Sequence, residues 1–183
     1  MKILLVNTYE SSWGAGIACK RLFSALESAG VDVQLLVRDK ISSDDRVITT
    51  NKPFFRHIGR IFRIIIERGF FMVKEKSKAV RYLFSIANMG ENVTRLNAFK
   101  NADIIHLHWI NNAFVSIKNL ERIFTSGKII IWTLHDQWPF TGGCHLVGEC
   151  ERFKSYCHCC PYLRKPKNED VSTRIWNKKL VLC

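Results

Sequence analysis

The sequence has no run of about 18 uncharged apolar residues, so it offers no segment suited to crossing a bilayer as a helix. Its opening, MKILLVNTYE, lacks the basic-then-apolar layout of a secretory signal. The expected location is therefore the cytoplasm, where thiols stay reduced, and the seven cysteines are not expected to form a disulfide framework. No G-x-S-x-G elbow for a nucleophilic serine is present, and no Asp-x-Asp pair for a metal–diphosphate complex. Internal repeats and low-complexity tracts are missing as well.

Acid is scarce. Sixteen Asp and Glu face 28 Lys and Arg, a net charge of +12. Much of the excess lies between Arg56 and Arg81, interleaved with Phe54, Phe55, Ile58, Ile61, Phe62, Ile64, Ile65, Phe70 and Phe71, and more lies between Arg164 and Lys179. Such a segment suits the surface of an anionic membrane. It equally suits a core helix whose outer face is basic. Nucleic acid is a weaker reading, because no recognised binding motif accompanies the charge.

With 183 residues, 47% of them hydrophobic and 24% charged, the chain is expected to form one compact domain spanning 1–183. Residues 2–7 are a short apolar run suited to a strand buried on both faces. A polar, glycine-bearing loop, TYESSWGAG, follows, and from Gly16 Ile17, Ala18, Leu22, Ala25, Leu26 and Ala29 recur at helical spacing until Gly30 ends the helix. Residues 31–37 read as a second strand, which completes a βαβ unit. The stretch 42–89 is apolar without one clean period and is expected to hold one or two helices. Residues 103–109 (DIIHLHW) and 128–134 read as strands, joined by a helix over 116–125 with Ser116 as N-cap and Gly127 as stop. Two such patterns predict an α/β fold, a Rossmann-like doubly wound parallel sheet that binds ligands at its carboxyl edge. A short helical pattern begins at Ser172; it suits either a lead into further structure or a docked terminal helix.

Three motifs carry chemistry. In SSWGAG, Gly14, Ala15 and Gly16 stand where backbone N–H groups can meet a phosphate or sugar, although Cys19 occupies the third glycine position of a dinucleotide fingerprint. In a strand, His106 and His108 share a face, and His135 with Asp136 ends the last strand; a rim histidine can donate to a substrate hydroxyl, and a carboxylate beside it can fix its orientation. Five cysteines crowd between Cys144 and Cys160, in a cysteine-rich loop, 144–160. Cys144, Cys150, Cys157 and Cys160, spaced C-x5-C-x6-C-x2-C, can close a tetrahedral structural zinc shell with Cys159 as the spare. An iron–sulfur cluster and unligated thiols are the alternatives. A shell of four thiolates has no open position, so no catalytic metal is expected.

NTYESSWGAGIACKRLFSALESAGVDVQLLV, ADIIHLHWINNAFVSIKNL and WTLHDQWPFTGGCHLVGECERFKSYCHCCP together resemble the amino-terminal half of bacterial family 4 glycosyltransferases, of the group that builds capsular and exopolysaccharide units, colanic acid among them. The resemblance implies the two-lobed GT-B architecture and a retaining transfer of sugar from a nucleotide-sugar to a glycan or lipid-linked acceptor, in an enzyme without catalytic metal. It implies that Gly14 and Gly16 face the donor diphosphate and acceptor, that His135 faces the donor sugar with Asp136 beside it, and that His108 lines the cleft. Trp13 and Ala15 stand where such proteins often carry paired glycines. The family's donor-binding carboxyl-terminal domain has no counterpart in these residues, so the expectation is a truncated or split enzyme, inactive alone or completed by a separate carboxyl-terminal half. The competing reading is a non-catalytic, zinc-braced module that binds nucleic acid or a protein partner.

Overall fold

The computed structural model describes residues 1–50 and 53–182, with side chains left undescribed at 53–57. The expected roles of Phe54, Phe55 and Arg56 lie outside the described side chains. Five strands form one parallel sheet in the order β3-β2-β1-β4-β5. They are β1 (Lys2–Tyr9), β2 (Asp32–Asp39), β3 (Val47–Ile48), β4 (Ile104–Leu107) and β5 (Ile129–Trp132). Helices α1 (Trp13–Ser28), α2 (Pro53–Met72), α3 (Asn97–Asn101), α4 (Ile117–Phe124) and α5 (Val171–Leu180) connect and flank them. The chain has the Rossmann-like α/β fold that its alternating pattern predicts.

Two cores follow from the two-residue period of β1. Leu5 faces α1 and joins Cys19, Phe23, Val33, Leu35, Val37 and Val47. Leu4 and Val6 point the other way, into a larger core with Phe99, Ile105, Leu107, Leu120, Ile123 and Trp138. Both faces of β1 are thereby dry, which is why its sequence is an unbroken apolar run.

Element ends follow local chemistry. The Ser116 hydroxyl accepts from the Asn119 N–H at 3.3 Å and caps α4. Gly30 and Gly127 each take φ +74 where α1 and α4 stop. α5 is a docked helix: Asp170 caps it by accepting from Ser172 and Thr173 N–H, Ile175 is buried, and the Lys179 ammonium donates to the Trp138 carbonyl and lies 4.0 Å from the Trp138 ring.

Two expectations need correction. SSWGAG is not a free loop: α1 begins at Trp13, so Gly14, Ala15 and Gly16 form its first turn. Gly16 serves packing, because a Cβ there would sit 3.3 Å from the Tyr9 carbonyl oxygen and 3.3 Å from Ser11. With the helix starting early, its buried face is Gly16, Cys19 and Phe23, and Ile17 is left 45% exposed.

The second correction concerns α2, which is one long helix turned inside out. Arg60, Arg63 and Arg68 face the protein: Arg60 bonds Asp39 at 2.7 Å, Arg63 bonds Glu91, and Arg68 donates to the Arg81 carbonyl at 2.8 Å. Glu67 is buried and accepts from the Ala87 N–H. Ile58, Ile61, Phe62, Ile65 and Met72, which recur at three- and four-residue steps, are exposed instead. Three basic residues expected to meet lipid along this helix, Arg60, Arg63 and Arg68, are thus paired with acids or carbonyls of the fold, and the apolar stripe is what faces outward.

Candidate active site

The carboxyl ends of β1, β4 and β5 converge on one rim, and their polar residues are tied together there. Asn7 Oδ1 accepts from the Trp109 N–H at 2.9 Å, and the Thr8 hydroxyl donates to the Trp109 and Asn111 carbonyls at 2.9 and 3.0 Å. These bonds fix the segment after β4 against β1. Tyr9 stacks on Trp109, with ring centres 5.7 Å apart, and receives a 2.8 Å bond from Asn112 Nδ2 to its hydroxyl. Asn112 and Ala113 hold φ of 59° and 60°, a strained conformation for alanine. Arg38, buried beneath them, donates to the Asn112 carbonyl and stabilises that turn.

Three imidazoles line up across the rim. His106 and His108 do share a face, with ring centres 4.5 Å apart. His108 Nδ1 lies 2.9 Å from His135 Nε2, and His106 Nε2 lies 2.8 Å from the Thr133 hydroxyl. Burial lowers all three pKa values. Burial, reinforced by the charges His106 and His135 would carry, pushes His108 down to about 3. All three are neutral near pH 7.

The tautomers follow from which atom is left over. His108 Nε2 is buried without a hydrogen-bond partner. An unpaired buried N–H costs more than an unpaired acceptor lone pair, so His108 carries its proton on Nδ1 and donates to His135 Nε2. His135 then holds its own proton on Nδ1. It is the half-exposed member of the pair, and it presents a donor toward the rim.

Asp136 is engaged elsewhere. Its carboxylate accepts from Trp109 Nε1 at 2.6 Å and from the Trp138 N–H at 2.9 Å, and contacts His145 Nδ1 at 2.6 Å. Burial opposes its charge, but the bonds from His145, Trp138 and Trp109 prevail and its pKa is lowered. His145 in turn reaches the Ser85 hydroxyl at 2.9 Å. The orientation of His135 comes from His108, and Asp136 anchors the shell behind it. His145 and Trp109 were not singled out by the sequence, since their bonds to Asp136 join remote residues.

Gly14, Ala15 and Gly16 open α1 at the end of β1, with an N-cap, Ser12, whose side chain makes no capping bond. Trp13 has φ 62 and is 75% exposed. A bulky residue in that conformation, presented to solvent at a ligand edge, is a site feature that sequence pattern treated only as a departure. Clefts of about 600 Å³ and 440 Å³ open elsewhere, the first beside Ser116 and Lys178, the second beside Lys74 and Arg164, and neither is lined by a rim histidine.

Among the described residues no ready-made group of three or more His, Cys, Asp or Glu ligands is set around a metal ion. Cys144, Cys157 and Cys160 are buried, Cys150 and Cys159 are half-buried, and all are free thiols.

The chain is an α/β domain with a parallel sheet, and its polar groups gather at the carboxyl rim, the edge where α/β folds generally bind ligands. Comparison with known proteins narrows this over part of the chain. A stretch of 66 residues is 32% identical to the Escherichia coli (strain K12) protein named "Putative colanic acid biosynthesis glycosyl transferase WcaC". The matched stretch makes up 33% of this chain and 16% of that protein's length. The chain is related, over that stretch, to a protein named as a glycosyl transferase. No family model and no solved structure matches it.

Proposed function

We propose that these residues form the acceptor-side lobe of a retaining, GT-B type glycosyltransferase of surface-polysaccharide synthesis, with His135 as the residue that meets the transferred sugar. The observation that carries the reading is the His108–His135 pair at the sheet rim, which leaves His135 with an outward N–H donor. Such a donor, held rigidly by a neutral buried partner, stabilises charge that develops on a sugar oxygen during transfer. The open first turn of α1 offers N–H groups to a diphosphate, and exposed Trp13 offers a flat apolar face to a sugar ring.

In this reading the rim is one wall of a cleft. The second wall, which holds the nucleotide-sugar, is in this reading a domain outside the 183 residues. Support comes from the face of β5 on the α1 side, where Ile129 and Ile131 are 62% and 44% exposed. Apolar strand residues this open are the kind of surface a further packed unit covers.

The acceptor in this reading is lipid-linked, and the lobe meets it at an anionic membrane face through the outward stripe of α2. Among the described residues no helix is long and apolar enough to cross a membrane, so the attachment is peripheral. Exposed Lys74, Lys76 and Lys78 follow the stripe. Beyond them a cleft of about 440 Å³ is lined by Lys74, Arg164, Lys165, Lys167 and Arg174, against Glu169 and a cap-engaged Asp170. Apolar insertion beside a cationic cleft suits an anionic headgroup. The nucleic-acid alternative has less to stand on, because Arg60, Arg63 and Arg68 of α2 are paired within the fold.

The test is a transfer assay with a panel of nucleotide sugars and a lipid-linked acceptor. The 183 residues alone are expected to give no turnover, and a supplied donor lobe is expected to restore it in a His135-dependent way. Robust turnover by the 183 residues alone refutes the one-lobe reading.

A further inference from the structure

Between the 3-10 turn at Trp138–Phe140 and α5 at Val171, thirty residues run with one 3-10 turn, Arg152–Lys154, as their only regular element. Two isolated antiparallel bridges, Phe84 with Cys144 and Glu75 with Leu163, tie this loop to the fold, and the stretch 145–162 between them has no further bridge to hold it. Three cysteines go inward along with Thr141, His145 and Leu163: Cys144, Cys157 and Cys160 are 9, 8 and 4% exposed.

Four cysteines share the lining of one small pocket. A cavity of about 10 Å³ is lined by Cys144, Cys150, Cys157 and Cys160. That is room for about one water-sized atom and far too little for a substrate. Cys144, Cys157 and Cys160 are buried there and Cys150 is half-buried. One backbone donor already points at sulfur: the Gly142 N–H donates to Cys157 Sγ at 3.1 Å. Donors of this kind stabilise thiolate far more than thiol.

Cys159 is built differently. Its backbone is turned to φ +42, its thiol donates to Asn168 Oδ1 at 3.2 Å, and it does not line the void. Cys19 lies in the α1 core, next to Phe23. The structure therefore sorts four cysteines from their neighbours by position.

We propose that Cys144, Cys150, Cys157 and Cys160 bind one zinc ion that braces the 141–170 loop. Binding replaces four S–H bonds with four Zn–S bonds and releases four protons to solvent, with no change of oxidation state. Zn–S bonds of about 2.3 Å place the sulfurs about 3.8 Å apart, so binding draws the four side chains that line the pocket onto one point. Four thiolates leave no open position, and the ion is structural. Its effect reaches the rim, because Cys144 is followed by His145, which holds Asp136. Zinc binding does not depend on the sugar-transfer reading; the test below has no sugar in it.

The chain is purified under reducing conditions and its metal content measured. The expected result is about one zinc per chain, kept in C159S and reduced to under about a fifth in C144S and C157S. Because a cysteine variant can fail to fold, the wild-type chain supplies a second readout: cobalt(II) added after chelator treatment is expected to give tetrahedral thiolate absorption that zinc then removes, together with a raised melting temperature. Absence of metal with no cobalt–thiolate absorption overturns the proposal. Iron with sulfide in place of zinc overturns it as well, as does zinc lost equally in C159S.

Discussion

His108 Nδ1 and His135 Nε2 lie 2.9 Å apart, although the two residues are 27 positions apart in the chain. Parallel pairing of β4 with β5, Leu107 opposite Trp132, brings the two strand ends side by side and places one histidine behind the other. The buried one cannot ionise without losing solvation that nothing restores; the outer one inherits a fixed tautomer. A donor fixed in this way needs no reorganisation when charge develops in front of it.

The same pair sets a dependence of stability on pH. His108 is pushed down to about 3 in the folded protein, while an imidazole in the unfolded chain titrates near ~6.5. Below ~6.5 the unfolded state binds a proton that the folded state refuses, so stability is full above that pH and falls as the pH drops toward the folded value. His106 and His135, also lowered, act in the same direction. The expected loss from His108 is up to about 1.4 kcal/mol per pH unit below ~6.5. Chemical denaturation between pH 7 and pH ~4.5, above the range where Asp136 titrates, checks it, and His108→Phe is expected to reduce the slope by one proton.

Position and role separate His135 from Asp136. His135→Ala removes a half-exposed ring but leaves the His108 N–H without its acceptor, and is expected to cost about 1–2 kcal/mol. In an assembled two-lobed enzyme it is expected to lower kcat by about a hundredfold or more. Asp136→Asn instead places an amide against Trp109 Nε1, the Trp138 N–H and His145, and is expected to cost about 3 kcal/mol. Thermal melts paired with initial rates distinguish the two, and an unfolded His135→Ala would remove His135 from the reactive role.

Much of the scaffold was legible because its signals are local. The apolar run of β1, the alternation that aligns His106 with His108, the Ser116 cap and the glycine stops at Gly30 and Gly127 each need only a few neighbouring residues. The start of α1 was not legible, since Trp-Gly-Ala-Gly reads as a breaker and the close approach to the Tyr9 carbonyl that requires Gly16 is visible only in space. The inverted face of α2 was hidden for the same reason. Asp39 and Glu91, which accept Arg60 and Arg63, lie 21 and 28 residues away. Within the site, His135 could be found from its place at a strand end, whereas the roles of Trp109 and His145 depend on a carboxylate that sits behind the rim.

The glycines of the TGGC turn are expected to differ sharply from those of α1. Gly143 has φ +125, and a Cβ there would lie 2.5 Å from the Phe84 ring; at Gly142 it would meet the Ser172 carbonyl oxygen at 2.6 Å. Alanine at either position forces backbone or a buried ring to move, at an expected cost of about 2–4 kcal/mol. At Gly14 no atom lies within 4 Å, so Gly14→Ala, inside a helix, is expected to stabilise by up to ~1 kcal/mol. Urea titrations of the three variants check the order, and a destabilised Gly14→Ala would mean that residue 14 is not helical.

The outward stripe of α2 separates folding from membrane contact. Phe62 and Ile65 are 61% and 62% exposed, so Phe62→Asp and Ile65→Asp remove little buried area and are expected to leave the melting temperature within about 2 °C. On a bilayer the same changes take two apolar side chains out of the acyl boundary and add two negative charges near an anionic surface, each unfavourable by about 1 kcal/mol or more. Sedimentation with vesicles containing anionic lipid is expected to fall at least tenfold for the double variant. Replacing Lys74, Lys76 and Lys78 with Gln is expected to weaken binding mainly at low salt, because that contribution is screened within a Debye length. If both sets of variants sediment like the wild-type chain, the stripe does not face lipid, and the bare apolar side of α2 is covered by protein instead.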